Sequence, residues 1–288
     1  MSTGATLPVS LLVLTYNEAH NIARCLDSVP FAQEKLVVDS GSSDGTVAIA
    51  NEHGARVVHQ PWLGFGPQRR AATRMTQFPW ILCLDADEWL SPELAAELAQ
   101  RLPQLMQGTM AGAFLRRSAF FMGARMRWYR PLAHERIERL YHRDRAHWTA
   151  ATVHEALRFD APAIDLHAPL LHAYTPTIVH RALKDLYYAE LRARDWNARD
   201  RPSRLWMAPW VFLATFLKDY LLRLAVLDGA RGYIAAHLAA TYAVYKRLRR
   251  HEMKVCPETV DAGQEALVRH GLERARPVPD ADGADGSA

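Results

Sequence analysis

The stretch Val9-Ser10-Leu11-Leu12-Val13-Leu14-Thr15-Tyr16-Asn17-Glu18 passes from an apolar run to a polar end within ten residues. The apolar part, Val9 to Leu14, is too short for a signal peptide and has no basic lead-in, so it reads as a buried strand that surfaces at Thr15. Leu36-Val37-Val38 behaves the same way and runs out into Asp39-Ser40-Gly41-Ser42-Ser43-Asp44-Gly45-Thr46. Arg56–His59 is a third strand. Trp80-Ile81-Leu82-Cys83-Leu84 is a fourth, ending in Asp85-Ala86-Asp87-Glu88. Helical stretches separate these runs: one through Ile22 and Leu26, one from about Thr46, one from Gln68. Ser91-Pro92-Glu93 opens another, with Ser as N-cap, Pro in the first turn and an early acid. The alternation predicts an α/β fold, a mostly parallel, Rossmann-like sheet with helices on both faces. Ligands of such sheets sit at the carboxyl ends of the strands, which is where the polar ends lie.

From Ala113 to Tyr174 the rhythm changes. Short runs such as Ala113-Phe114-Leu115, Arg139-Leu140-Tyr141 and Leu170-Leu171-His172 read as added strands among Arg- and aromatic-rich loops. Beyond Thr177 the chain reads as helical to about Arg250, with a further short helix near Glu258–His270. The tail from Pro277 is rich in Pro, Asp, Gly and Ala and reads as disordered.

At 288 residues, 49% hydrophobic and 23% charged, the chain can bury a real core without staples. Its net charge of +4 suits nucleotide phosphates or anionic lipid, or simply solubility. Cys25, Cys83 and Cys256 are odd in number and widely spaced, which supports neither a disulfide framework nor a zinc knuckle and suits a reducing compartment. No run of 18 uncharged apolar residues appears, so no spanning helix is expected. Basic and aromatic residues mix in the middle of the chain, but no RNP-like motif accompanies them and nucleic acid is not an expected partner.

Three strand ends carry candidate chemistry. In extended chain Asp85 and Asp87 point to one side, and two such carboxylates suit Mg²⁺ or Mn²⁺, which take the rest of their shell from water and substrate phosphates. The same residues can equally be an acidic turn capping the next helix. Asp39 can accept the imide N–H of a uracil, or can form an Asx-turn into the Ser/Gly loop. Trp62-Leu63-Gly64-Phe65-Gly66-Pro67-Gln68-Arg69-Arg70 leads into a helix whose N-terminus and arginines favour anions, or serves as a lid. Glu155 in Val153-His154-Glu155 is a candidate general base, with His154 beside it. A zinc-protease helix is excluded there, because no second His follows at the HExxH spacing. Arg116, Arg117, Arg125, Arg127, Arg130, Arg136 and Arg139 crowd the middle segment. They read as solvated loop residues or as a surface for an anionic acceptor.

Taken together, Leu14-Thr15-Tyr16-Asn17-Glu18, Val38–Thr46, Trp62-x-Gly64-Phe65-Gly66-x-Gln68-Arg69, Leu84–Glu88 and Val153-His154-Glu155 resemble the family 2, GT-A-fold inverting glycosyltransferases. The nearest branch is that of the lipopolysaccharide-core β-1,4-glucosyltransferases, and the likeness spans roughly residues 9 to 160. The resemblance implies a nucleotide pocket made by Thr15, Asn17, Glu18 and Asp39, with Gln68, Arg69 and Asp85 on the donor side. It also implies a metal, Mg²⁺ or Mn²⁺, at Asp85 and Asp87, and Glu155 as base. Arg70 departs from the Asn common at that place in the branch. By the same resemblance the donor is UDP-glucose and the acceptor a lipid-anchored inner-core heptose, at the cytoplasmic face of the membrane. A polyprenyl-phosphate glycosyltransferase, a nucleotidyltransferase and a non-catalytic, membrane-associated nucleotide-binding protein are the rival readings. The expected organisation is a nucleotide-sugar-binding catalytic domain over residues 1–175, a helical, amphipathic extension over 176–275, and a disordered tail over 276–288.

In the extension, Trp206–Leu217 is strongly apolar and Trp-rich, and Lys246-Arg247-Leu248-Arg249-Arg250 is basic. That combination suits peripheral attachment to an anionic inner-leaflet surface, or else a helical pair packed on the catalytic domain or a second subunit.

Overall fold

The computed structural model describes residues 6–149, 156–175, 177–200, 202 and 204–269. Its elements run β1 (Leu7–Thr15), α1 (Ile22–Asp27), β2 (Ala32–Asp39), α2 (Thr46–Glu52), β3 (Arg56–His59), α3 (Phe65–Arg74), β4 (Trp80–Asp85), β5 (Glu88–Leu90) and α4 (Pro92–Gln107). They continue as β6 (Gly112–Phe121), β7 (Ala124–Arg125), α5 (Arg130–Ala133), β8 (Glu135–His142), β9 (Ala146–Trp148), β10 (Leu157–Phe159) and β11 (Ala163–Thr175). Helices α6 (Ile178–Ala198), α7 (Ala208–Leu217), α8 (Gly229–Val255) and α9 (Thr259–Arg269) complete the order.

The main sheet runs β3-β2-β1-β4-β8-β6-β11-β5, with β7 paired to β6. Strands β3, β2, β1 and β4 form the parallel block that the alternating sequence predicts. Its central strands are apolar on both sides because helices cover both faces. Leu11, Val13, Leu82 and Leu84 pack with Ile22 and Leu26 of α1 and Leu94 and Leu98 of α4. Leu12, Leu36, Val38 and Ile81 point the other way, toward Ala72 of α3 and toward Tyr141 and Trp148. Antiparallel strands then extend the sheet: β8 pairs with β4, and β5 pairs with β11. A separate two-stranded ribbon joins β9 and β10, with Leu157 opposite Trp148.

Parallel register sets the strand ends side by side. Thr15 pairs with Asp39, Leu14 with Asp85, and Asp39 with His59. Three of the polar motifs therefore end in one row, at the carboxyl edge of the sheet. Beyond that edge, Ser91 caps α4 as its sequence predicts, its hydroxyl accepting from the Leu94 N–H at 3.1 Å.

The chain forms two compact units. One comprises the residues up to Arg117 with Arg136–His172; the other comprises Ser118–Glu135 with the chain from Ala173 onward. Ser118–Glu135, expected with the nucleotide-binding half, groups with the helices through an apolar cluster, in which Phe121, Met126 and Leu132 pack with Ala225, Ala235 and Ala236, and through polar contacts. The Asp228 carboxylate accepts the backbone N–H groups of Arg127, Trp128 and Tyr129, and the Tyr129 hydroxyl donates to buried Asp219 at 2.9 Å.

Within the helical unit α8 packs on α6 and α7. The basic stretch at residues 246–250 does not form the headgroup-facing cluster expected of it. Arg249 is buried and pairs with Glu190 of α6 at 2.6 Å, and Arg250 is buried with a 3.4 Å contact to Asp200. Lys246 and Arg247 each lie 5.5 Å from the Trp196 ring. Arg249 ties α8 to α6 through a buried ion pair, and Lys246 and Arg247 lie against the Trp196 ring of α6.

Gly112 of β6 tests the packing of the sheet. A Cβ there would lie 2.2 Å from the Leu140 carbonyl oxygen and 2.5 Å from Phe159. Backbone cannot yield cheaply, so Gly112→Ala is expected to destabilise the unit by about 2 kcal/mol or more, read as a lowered urea midpoint. An unchanged midpoint would contradict this packing.

Candidate active site

The loop after β1 and the loop after β2 are sewn together by short polar contacts. Asn17 takes a left-handed backbone conformation, φ 53°, which Asn tolerates better than most residues. That turn lets its N–H donate to the Ser42 hydroxyl at 2.8 Å, while its side-chain oxygen accepts the Ser43 N–H at 2.8 Å. The Glu18 N–H donates to the Thr46 hydroxyl and the Ala19 N–H to Asp44. The Glu18 carboxylate accepts from the Asn21 amide at 2.8 Å. Asn17 and Glu18 thus act first as builders of the platform.

Asp39 does what its Asx-turn reading predicts. One carboxylate oxygen accepts the N–H groups of Gly41 and Ser42 at 2.9 Å each, and the other accepts the Ser42 hydroxyl. Beside it in the ladder, the Thr15 hydroxyl is buried and makes no hydrogen bond with any described residue. A buried polar group without a protein partner carries a desolvation cost, and a polar ligand at the strand ends would offset it.

Gln68 and Arg69 face inward. The buried Gln68 amide ties Ser40, Gln60 and Leu63, fixing the loop before α3. Arg69 is also buried; it donates to Asp85 at 2.7 Å and to the Cys83 sulfur at 3.2 Å, and sits 4.9 Å over the Trp148 ring. Arg70 is exposed.

The strongest electrostatic feature is a cluster around Asp85 and Glu88. Arg139 of β8 donates to both carboxylates of the pair, at 2.7 Å to Asp85 and 2.8–2.9 Å to Glu88. Arg117 reaches Glu88 at 2.9 Å. Glu88 also accepts the Asp85 backbone N–H, closing the turn between β4 and β5. Three guanidiniums thus meet two carboxylates. Burial alone would raise the Asp85 pKa, but Arg69, then Arg139 and Arg117, outweigh it and hold the carboxyl far below its ordinary value. Glu88 is likewise pushed up by burial and brought down overall, chiefly by Arg139. Burial opposes the Arg139 charge, yet Glu88 and Asp85 keep its pKa raised.

Asp87 has different partners. Ala86 and Glu88 are buried and Asp85 and Asp87 partly open, and residues 86–87 form a turn instead of the extended chain expected there. Both Asp85 oxygens, however, are taken by guanidiniums, one by Arg69 and one by Arg139. Asp87 instead approaches His172 of β11, with Oδ2 3.2 Å from Nε2. Among the described residues no group of three or more His, Cys, Asp and Glu is assembled that could hold a metal ion by itself. His154 and Glu155 lie outside the described residues.

Glu88 and His172 had no role in the sequence reading, and Arg117 and Arg139, read there as solvated or acceptor-facing arginines, instead pair with Glu88 and Asp85. Glu88 was visible as the last letter of Asp85-Ala86-Asp87-Glu88. Nothing local distinguishes Arg139 from its arginine-rich neighbours, because its partners lie more than fifty residues upstream. Arg136, by contrast, pairs with Asp165 at the surface at 2.6 Å and lies over the Phe114 ring.

A parallel β-block covered by helices defines an α/β protein, and its strand ends carry an Asx-turn carboxylate, an arginine-clamped acidic turn and a Thr15 hydroxyl without a partner among the described residues. The model of "Glycosyl transferase family 2" matches residues 10–159. The chain belongs to that family and is a glycosyltransferase.

Its relatives include the lipopolysaccharide core biosynthesis glycosyltransferase LpsC of Rhizobium meliloti, 27% identical over 89% of this chain and 97% of that one. An uncharacterized glycosyltransferase of Rickettsia bellii is 30% identical, covering 76% of this chain and 80% of the other. Among solved structures, Staphylococcus aureus TarS 1–349 in complex with UDP-GlcNAc aligns at a TM-score of 0.45 and 14% identity, over 86% of this chain and 92% of that one. Glucosyl-3-phosphoglycerate synthase from Mycobacterium tuberculosis, in complex with Mn²⁺, UDP and glucosyl-3-phosphoglycerate, aligns at 0.41 and 20%, over 60% of this chain and 74% of the other.

The buried cluster sets the acid stability. Asp85 and Glu88 have folded pKa values below their ordinary 3.8 and 4.5, so their contribution is complete above those values and is lost as pH falls further toward the folded ones. Removing Arg139 leaves buried Glu88 and partly exposed Asp85 short of charge. Arg139→Met is expected to cost about 3–5 kcal/mol at neutral pH. The penalty should shrink below about pH 4, where the stranded carboxyls take up protons. Urea titrations of both proteins from pH 3 to 7 read this out, and a pH-independent difference would contradict it.

Proposed function

We propose that this chain transfers glucose from UDP-glucose, with inversion, onto an inner-core heptose of lipopolysaccharide carried on a lipid anchor. The observation that carries the donor side is the register that sets Thr15 beside Asp39 and Leu14 beside Asp85. The acceptor side rests on the relationship to LpsC, whose name assigns it to lipopolysaccharide core synthesis and which aligns over nearly its full length.

In this reading the nucleotide lies on the platform sewn by Asn17, Glu18 and Ser42. The Thr15 hydroxyl and the remaining acceptor capacity of Asp39 meet the base. Pairing of buried polar edges is what discriminates one base from another. Gln68 and Arg69 shape the donor side indirectly, one by fixing the loop before α3 and the other by clamping Asp85. Asp85 in turn holds the turn that presents Asp87.

A divalent ion fits these residues in a restricted way. Asp87 and His172 are an oxygen and a nitrogen donor 3.2 Å apart, whereas Asp85 is occupied by its arginines. Mg²⁺ or Mn²⁺ held mostly by water and by the donor's diphosphate needs few protein ligands, and Asp87 with His172 would supply them. When bound, such an ion neutralises charge developing on a departing diphosphate.

Glu155 is the general base of the proposal. It removes the proton of the attacking acceptor hydroxyl as that oxygen bonds to the anomeric carbon and the diphosphate leaves from the opposite face. An α-linked donor then yields a β-glycoside. Three free cysteines, Cys25, Cys83 and Cys256, suit a reducing, cytoplasmic site of action.

A screen of nucleotide sugars with Mg²⁺ or Mn²⁺, scored by UDP release and by label transferred to deep-truncated lipopolysaccharide, tests the reading. Asp87→Asn is expected to lower metal-stimulated transfer by about 100-fold or more, and chelation should abolish wild-type transfer. Glu155→Gln should keep UDP-glucose binding by calorimetry and lose transfer by at least about 100-fold. Product found on a polyprenyl phosphate would redirect the acceptor assignment, pyrophosphate release would point to nucleotidyl transfer, and undiminished turnover of Glu155→Gln would remove the base.

A further inference from the structure

Helix α7 is apolar on every side, yet only one side is covered. Phe212, Phe216 and Tyr220, spaced four apart, stack in series, and Phe212 and Phe216 meet His237 and Tyr233 of α8 edge-on. The opposite stripe, Trp206, Trp210, Leu213, Leu217 and Leu221, repeats at intervals of three and four and lies open. Trp206 is 71% exposed, Trp210 65% and Leu222, at the end of the stripe, 72%. Leu227 and Trp128, near the Asp228 contacts of the same unit, are exposed as well. An exposed apolar stripe of this kind marks an interaction site.

Its rim is of one sign. The segments from Ser118 to Pro131 and from Arg204 to Tyr233 contain only two acids, Asp219 and Asp228. Asp219 is buried and bonded to Tyr129 and Arg223, while Asp228 accepts three backbone N–H groups. The cations Arg127, Arg130, Arg204, Lys218 and Arg223 are exposed. Apolar ridge and basic rim belong to the same helical unit.

We infer that this face seats on an anionic lipid surface, with Trp206, Trp210, Leu213 and Leu217 entering the headgroup–acyl boundary and the arginines meeting lipid phosphates. The inference deepens the lipid-anchored-acceptor reading above, on which its purpose rests, although the surface is argued from side chains alone. A basic rim discriminates the occupant. Two copies of this face would bring like charges together, while anionic headgroups neutralise them. Lys218, Asp219 and Arg223 break the apolar run at its C-terminal end, so α7 lies in the interface plane and does not span the hydrocarbon core. No helix among the described residues is long and apolar enough to cross a membrane.

The test is flotation of the full chain with vesicles of phosphatidylglycerol and phosphatidylcholine, in the absence of any nucleotide sugar. Its outcome is therefore independent of donor or acceptor identity. Wild-type protein should float with mixed vesicles, bind pure phosphatidylcholine about tenfold more weakly, and be released by raised salt. Trp206→Glu combined with Trp210→Glu should lose binding by at least about tenfold while keeping the wild-type urea midpoint. Should that variant misfold, Trp206→Phe with Trp210→Phe serves instead. Brominated lipid should quench wild-type fluorescence, and the quench should fall in the Phe variant to the share that exposed Trp128 carries. Absence of flotation, equal binding to neutral vesicles, or quenching undiminished by loss of both tryptophans would overturn the inference. So would a lipid-free dimer that Leu213→Glu with Leu217→Glu dissolves, which would assign the face to a second copy.

Discussion

The buried guanidinium of Arg139, held between Asp85 and Glu88, is the contact on which the arrangement of the site depends. Two carboxylates a few residues apart at the end of a buried strand repel each other and resist desolvation. Arg139, with Arg69 and Arg117, makes both ionised and keeps them in one place. In the turn between β4 and β5 Glu88 accepts the Asp85 N–H, and Asp87 lies 3.2 Å from His172. Strand pairing brings Asp85 to the row of strand ends, and the arginine cluster decides which way each acid faces.

That division of labour separates two aspartates that look alike in the chain. Asp85 is an anchor for arginines, whereas Asp87 meets His172. The same logic runs through the neighbouring loops. Asp39, Asn17 and Gln68 each spend hydrogen-bonding groups on backbone and hydroxyl partners, so the platform is built before any ligand arrives. Preorganisation of this kind lowers the ordering cost of binding. The Thr15 hydroxyl, which has no partner among the described residues, is the exception in the row, and such a buried group is where ligand polarity has most to offer.

The helical unit shows the reverse assignment of charge. Arg249 and Arg250, which look like a surface cluster in the chain, are buried against Glu190 and beside Asp200. The exposed cations come instead from two separate segments, around residues 127–130 and 204–223, that the Asp228 and Asp219 contacts fasten together. Helical periodicity shows which α7 residues share a face; only packing shows which face α8 covers.

Short-range information in the chain was enough for the parallel block, the cap of α4 and the placement of Thr15, Asp39 and Asp85 at strand ends. Each of these follows from apolar runs ending in polar residues, a signal carried within ten positions. Long-range pairing had no such signal. Arg139 finds Glu88 across 51 residues, His172 finds Asp87 across 85, and Tyr129 finds Asp219 across 90. Charge partners of this kind are chosen by which strands and helices become neighbours, and an arginine's local surroundings are the same whether it ends in solvent or in a salt bridge. Periodicity and turn chemistry are local and so can be read along the chain, whereas burial and charge pairing come into being only when distant segments meet.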